Sequence, residues 1–382
     1  MERISGAFYM IDETPEADKL DGCPHPRKTL NLFGHKKAQT EILNALKNKK
    51  IHHAWLVCGP KGIGKATLVW KMARALLTLE ENAKNSENSN SAANLNVAIN
   101  NPIYKKTLAL TEPKLHLLRR NWDLKTEKFR QSITIEDIRA LKGFFNLSST
   151  DDGRRIVIID SADDLQIAGA NALLKILEEP PAKTTILIVS HNPSQLLSTI
   201  KSRCRILNLK PLASTELQLG IDQALGIDSE INTSISELAN GSIGDAIHLL
   251  NNRGIEIYER LCILFGSSPS LDRPKAIELA SELTKMKSEE SFYILISMLN
   301  IFINRLALTG AGASPKVEII QNEFSVLTKL SPNLSSAKIW SELGQKILND
   351  AIKAKSVNIE LSSVLLNLFL KFNNIANKIY KI

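Results

Sequence analysis

The stretch Gly59-Pro-Lys-Gly-Ile-Gly-Lys65-Ala-Thr67 constrains the fold of this chain more than any other. It follows a short apolar run, Ala54 to Cys58, and opens an amphipathic stretch that reaches Leu79. Strand, glycine-rich loop and helix, in that order, is the setting a phosphate-binding loop requires. The glycines let backbone N–H groups turn inward around an anion. The helix N-terminus adds a fixed positive end, and Lys65 adds a full charge. Gly59, Gly62, Gly64, Lys65 and Thr67 are therefore candidate nucleotide-binding residues. The usual pattern continues with Ser or Thr directly after the lysine, to place a hydroxyl on Mg²⁺. Here Ala66 stands in that position and Thr67 comes one place late. One residue along a helix turns a side chain by about 100°. Binding of ATP or ADP can survive this change, but Mg²⁺-assisted hydrolysis is only weakly supported.

The pattern around the loop extends it into a domain. Gly34 to Lys50 carries Ile42, Leu43 and Leu46 at helical spacing. Lys114–Arg119 has a strand-like apolar centre, and Ile135–Phe145 reads as a helix with Thr134 as its N-cap. Arg155–Asp160 is a β-branched run ending in a carboxylate, the signature of a strand buried on both faces. Ala168–Glu179 is an amphipathic helix stopped by Pro180-Pro181. Thr185–Ser190, a short helix Gln195–Ser202, and Arg205–Leu209 complete the alternation. Strands alternating with helices predict a five-stranded parallel sheet with helices on both faces.

Residues 1–29 mix charge, Gly and Pro without period and read as an N-terminal arm. Residues 30–210 form the α/β domain, with a flexible Asn/Ser-rich insertion at about 80–101. After Pro211 the β pattern stops. Residues 211–253 read as a small helical domain and 254–382 as a larger one, all helical. Aromatic residues make up only 5% of the chain, which predicts aliphatic cores. The four cysteines form no Cys-x-x-Cys pair, so neither a zinc module nor a disulfide framework is suggested, and no metal site is expected. The early acidic residues do not resemble a signal peptide. No apolar run approaches the roughly 18 residues of a membrane span, and a cytoplasmic protein is expected. A net charge of +8 permits contact with nucleic acid or with an acidic partner, and equally describes a lysine-rich surface.

Three positions bear on chemistry. Asp160, at the C-terminal end of a buried strand, is placed beside the loop, where it would hold Mg²⁺ through water or cap a turn. The next residue is Ser161, whose hydroxyl is no base near neutral pH, so an attacking water has no obvious partner. Asp163 and Asp164 fall at the start of a turn or helix and read as its caps. Arg203, in Ser202-Arg-Cys204, lies between a helix end and a strand. It could form an ion pair within the chain, or reach across a subunit interface to a neighbour's γ-phosphate.

Four segments together carry a family resemblance. These are Ile51-His-His-Ala-Trp55, the phosphate loop, Asn171-Ala-Leu-Leu-Lys-Ile-Leu-Glu-Glu-Pro-Pro181, and Ser202-Arg-Cys204. They resemble the clamp-loader branch of the AAA+ ATPases, well over about residues 24–250 and only in position and type beyond. The resemblance implies an α/β AAA+ module, a helical lid (211–253) and a helical C-terminal collar (254–382). The motor subunits of that family have Thr after the loop lysine and Glu after the strand aspartate. They also carry an Arg in a Gly-Ser-x-Arg motif and a four-cysteine zinc module. This chain has Ala66, Ser161 and, in Gly241-Ser-Ile-Gly244, Gly244, and it lacks the cysteines.

The departures match a non-motor stator, a subunit that need not turn over ATP. The resemblance implies a heteropentamer with motor subunits and a delta subunit, within a polymerase holoenzyme. That complex acts on the sliding clamp and primed DNA, and binds no membrane. Arg203 would then complete the ATP site of the adjacent motor subunit in trans. The apolar segments 290–308 and 359–380 would pack in the collar, although a plain core suits them equally. A working ATPase that uses Thr67 for the metal, and a DNA-binding AAA+ accessory protein, are the alternatives.

Overall fold

A computed structural model describes residues 14–20, 23–48, 50–84, 94–146, 153–225, 233–285, 289–356 and 359–381. The chain divides into two compact units, residues 1–216 and 217–382.

The first unit is built on a five-stranded parallel sheet. Its elements are α1 (Lys36–Lys47), β1 (Ala54–Cys58), α2 (Lys65–Lys84), α3 (Pro102–Leu108), β2 (Leu115–Leu118), β3 (Trp122–Asp123), β4 (Lys128–Phe129), α4 (Ile135–Asn146), β5 (Arg155–Ile159), α5 (Ile167–Glu178), β6 (Thr184–Ser190), α6 (Ser198–Lys201) and β7 (Arg205–Asn208), and the boundary with the second unit falls within α7 (Ser214–Leu225). The sheet order is β2-β5-β6-β1-β7, and every pairing in it is parallel. Strand side chains alternate between two cores, as a period of two requires. Trp55, Val57, Ile156, Ile158, Leu187 and Val189 meet α1 and α2 on one face. Ala54, Leu56, Val157, Ile159, Ile186 and Ile188 meet α4 and α5 on the other. Both faces are covered, which is why these strands read as unbroken apolar runs.

Several local readings change. The arm is docked where it is described: His25 is fully buried, and Arg27 is 8% exposed. Glu16 accepts from Arg27 at 2.6 Å and from Arg119 at 2.8 Å, while Asp18 lies 3.0 Å from His25 Nε2 and also pairs with Arg119. Residues 1–13 of the arm lie outside the described residues, as do 85–93 of the Asn/Ser-rich stretch. The rest of that stretch is ordered by contacts. Helix α2 continues to Lys84, Leu95 is 2% exposed, and Asn96 Oδ1 accepts from Lys71. Thr134 does cap α4, in a reciprocal pair with Asp137.

The second unit has only helices as regular elements among its described residues. It contains α8 (Thr233–Ala239), α9 (Ile243–Asn251), α10 (Gly254–Gly266), α11 (Arg273–Lys285), α12 (Glu289–Gly310), α13 (Glu323–Leu330), α14 (Leu334–Ile339), α15 (Gln345–Ser356) and α16 (Leu361–Tyr380), with a π-helical turn at Trp340–Gly344. Its centre is aromatic, contrary to the expectation of aliphatic cores. Phe265 and Phe372 stack with ring centroids 3.7 Å apart, and Trp340 lies 4.5 Å from Phe372. The few aromatic residues are concentrated where they pack on one another. One segment, Phe292–Gly310, is long and apolar enough to cross a membrane, which corrects the reading of the apolar runs. Asn300, Asn304 and Arg305 interrupt it in sequence, and it serves here as a core helix, with Phe292, Leu295, Leu299, Phe302 and Leu306 at 0–1% exposure.

Candidate nucleotide site and Arg203

The loop between β1 and α2 has the backbone of an anion cradle. Gly59 has φ 145° and Gly64 φ 100°, values that side chains rarely adopt. A Cβ on Gly59 would stand 2.5 Å from the Leu209 carbonyl oxygen and 2.9 Å from Ile63 Cδ1. Only glycine lets β7's exit pass that close to the loop. His35 Nε2 lies 2.7 Å from the Ile63 carbonyl and pins the loop from outside. Lys65 is 2% exposed, and its ammonium donates to the Gly59 carbonyl at 2.7 Å and to the Pro60 carbonyl. Glycine backbone and a buried lysine fit a phosphate group. The residues fit Mg²⁺ poorly: Ala66 offers no oxygen, and Thr67 is only 9% exposed.

Asp160 ends β5, one strand further from the loop than expected, because β6 lies between β5 and β1. It is 8% exposed, and its pKa rises to about 7. Burial is the main cause, and the nearby carboxylate of Asp18 adds to it against the opposing charge of Lys65. In the unfolded chain the same carboxyl titrates at its ordinary value of 3.8. Between these values the folded chain holds a proton that the unfolded chain releases, so stability falls as pH rises through this window. Asp160→Asn is expected to stabilise the first unit by a few kcal/mol at pH above 7 and to be near neutral at pH below 3.8, read from denaturant midpoints.

Ser161 is 4% exposed, and its Oγ donates to Asp164 at 3.3 Å. Asp164 also pairs with Arg120 at 3.4 Å. Asp163 does not cap its own turn, as the sequence suggested. It reaches across to the end of β6, accepting from Ser190 Oγ at 3.1 Å, His191 N at 2.6 Å and Asn192 N at 2.9 Å. Burial works to raise its pKa, but these donors outweigh it and hold the carboxyl below its ordinary value. The stapled residue His191 is pushed down to about 4, by burial first and then by the charge of Lys65. His191 and Asn192 thus belong to the loop's surroundings, and no short motif announced them.

Arg203 stands apart from this group. Its Nη2 lies 2.8 Å from Glu178 Oε1, with side-chain exposures of 35% and 49%. Its Nη1 donates to the Thr199 carbonyl at 3.1 Å and to Ser202 Oγ at 3.4 Å. Fold and motif converge here, since Glu178 belongs to the Leu-Glu-Glu-Pro-Pro segment that closes α5. The structure therefore joins Asp160, Lys65 and His191 electrostatically and leaves Arg203 as a partly exposed cation elsewhere on the unit.

Residues 34–213 match a family model described as DNA polymerase III, delta subunit. A DNA polymerase III subunit delta' of Pseudomonas aeruginosa is 36% identical over 152 residues, which is 40% of this chain and 41% of that protein. The match thus spans well under half the length of that relative. The subunit delta' of Escherichia coli K12 is 25% identical over 313 residues, 81% of this chain and 86% of that protein. A DNA polymerase III subunit gamma of Buchnera aphidicola subsp. Schizaphis graminum is 25% identical over 339 residues, 87% of this chain and 85% of that protein. The phosphate loop, the Leu-Glu-Glu-Pro-Pro helix and Ser-Arg-Cys all lie inside the matched region, and over residues 34–213 this chain is similar to the clamp-loader subunits of DNA polymerase III.

Proposed function

We propose that the chain is the non-motor stator of a bacterial clamp loader. It would help place the sliding clamp on primed DNA, and Arg203 would complete the ATP site of an adjacent motor subunit. Relatives named delta' and gamma both match, so similarity alone does not choose between a stator and a motor. The choice rests on one observation: the phosphate cradle is kept while the groups for hydrolysis are missing. Ala66 and Ser161 replace the metal hydroxyl and the water-orienting carboxylate. Phosphate binding needs only the backbone and Lys65. Hydrolysis also needs a base or an oriented water, and a serine hydroxyl bonded to Asp164 supplies neither.

In this role the loop holds ATP or ADP without turnover. The helices of residues 211–253 act as a lid, and those of 254–382 join a collar with the motor and delta subunits. Zinc has no part, since the cysteines of a zinc module are missing from the sequence. The setting is the cytoplasm. The isolated chain is expected to show no ATPase above background, with or without Lys65→Ala, while a fluorescent nucleotide analogue reports binding separately. Turnover that Lys65→Ala abolishes would restore the working-ATPase alternative.

A further inference from the structure

Two cations on α2 lie outside the nucleotide cradle. Lys71 and Arg74 are three positions apart and so share a helix face, and they are 5% and 3% exposed. Lys71 Nζ donates to the Leu30 carbonyl and to Asn96 Oδ1. Arg74 Nε donates to Thr107 Oγ1 at 3.1 Å, its Nη2 donates to the Arg27 carbonyl, and its guanidinium lies 4.4 Å from the Tyr104 ring centroid. Every one of these partners is neutral. Among the described residues, Arg74 acts on Lys71 and Arg27 on Arg74, both as like charges, while Tyr104 alone acts the other way on Arg74, and Arg27 is itself engaged by Glu16. Buried cations are ordinarily paired with an anion. Here burial, with repulsion from Arg74, pushes Lys71 down to about 8. An ammonium carries three N–H donors and a guanidinium five, so both groups have donors beyond these bonds.

The shared face opens on a cleft of about 160 Å³, walled by Leu30, Asn31, Asn96 and Tyr104. A water's share of liquid volume is about 30 Å³, so the cleft has room for a small polyatomic ion with a few waters. It is small beside the roughly 300–1,000 Å³ of ordinary ligand pockets, which argues against a nucleotide. Lys71 is six residues beyond Lys65, about 9 Å along the helix at its standard rise, so this is a second site and not an edge of the first.

We propose that this cleft binds a small oxyanion of the phosphate class, held by Lys71 and Arg74, independently of the phosphate loop. The anion supplies the negative charge that the described residues around the pair do not. The test is thermal melting and calorimetric titration of the full chain with inorganic phosphate and with sulfate, against chloride at matched ionic strength. Lys65→Ala and Lys71→Met serve as the two variants. Phosphate and sulfate are expected to stabilise the wild type and Lys65→Ala alike. Lys71→Met should weaken the binding by roughly tenfold or more, the loss of one charge-assisted bond. Without anion, Lys71→Met should melt no lower than the wild type, because it removes an uncompensated buried charge. The variant is thus a fair folded control. Stabilisation no greater than chloride gives would overturn the proposal. So would phosphate binding that Lys65→Ala removes and Lys71→Met leaves intact.

Discussion

Arg203→Ala is expected to leave the chain folded and to slow ATP hydrolysis at the adjoining motor site by about 10³–10⁵-fold, the range of an arginine finger. The two halves of that expectation rest on different physics. In the isolated chain Arg203 makes a partly exposed ion pair with Glu178, at exposures of 35% and 49%. Pairs of this kind contribute about 0–1 kcal/mol, since solvent screens them and two long side chains must be ordered. The melting temperature should therefore move by no more than about 4 °C. In the complex the same guanidinium would face charge that develops only in the transition state, where its value is far larger. Glu178→Ala is the discriminating control. If Arg203 matters only as an ion-pair partner, the two variants behave alike in the DNA-stimulated ATPase of the reconstituted loader. A finger predicts a large loss for Arg203→Ala and a much smaller one for Glu178→Ala. Normal single-site turnover in Arg203→Ala would remove the assignment.

Much of the first unit was legible because its signals are local. A buried parallel strand must be apolar along its whole length, so Arg155–Ile159 and Thr184–Ser190 were visible within a residue of their observed ends. The phosphate loop was legible because only glycine tolerates its backbone, as Gly59 shows against the Leu209 carbonyl. The segments that were missed are short or depend on partners far away in sequence. Helix α3 has seven residues, and β3 and β4 have two each, too few for a period to register. The docking of Glu16, Asp18 and His25 relies on Arg119, about a hundred positions away, and nothing near His25 signals a buried histidine. Asp163 illustrates the same limit within the candidate site. From sequence it reads as a cap for its own turn, because that is the nearest set of free N–H groups. In the fold the end of β6 is nearer, and the backbone amides of His191 and Asn192 take it instead. The distribution of aromatic residues was hidden for a further reason. Composition averages over the chain, whereas packing gathered Phe265, Phe302, Phe369, Phe372 and Trp340 at one centre.

The departures at Ala66 and Ser161 could be read from sequence, but their consequence needed the fold. A hydroxyl one place late could in principle still reach a metal. At 9% exposure Thr67 belongs to the packed side of α2. Asp160, an ordinary carboxylate in sequence, is buried, and burial with the nearby Asp18 carboxylate raises its pKa to about 7. The burial of Thr67 and the want of a base at Ser161 act against metal-assisted hydrolysis, whereas Arg203 makes the ion pair within the chain and offers a partner only its exposed part.

The largest effect on stability is expected in the helical unit, at Glu323. Its carboxylate is fully buried and accepts four hydrogen bonds: from Arg305 Nε at 2.6 Å, Arg305 Nη2 at 3.0 Å, Tyr258 Oη at 2.5 Å and the Ile319 amide at 2.6 Å. These donors come from α10, α12 and the chain entering α13, so one side chain ties three segments together. Glu323→Gln keeps the shape but replaces one acceptor oxygen with a donor that faces donors, and it leaves the Arg305 charge, 7% exposed, with only the half-exposed carboxylate of Glu237 at 4.0 Å. Breaking a buried pair in this way costs about 3–5 kcal/mol. The urea midpoint of this unit should fall by about 2 M. Trp340 is the one tryptophan of residues 217–382, and its indole donates to the Leu330 carbonyl at 2.9 Å, so its fluorescence follows this unit. The double change Arg305→Met with Glu323→Leu should cost much less than Glu323→Gln alone, because it removes both buried charges together. The interaction energy from the cycle separates the worth of the pair from the penalty of an orphaned charge. A loss below about 1 kcal/mol for Glu323→Gln would mean that water reaches the carboxylate, and that packing of the aromatic centre, not this network, holds α10, α12 and α13 together.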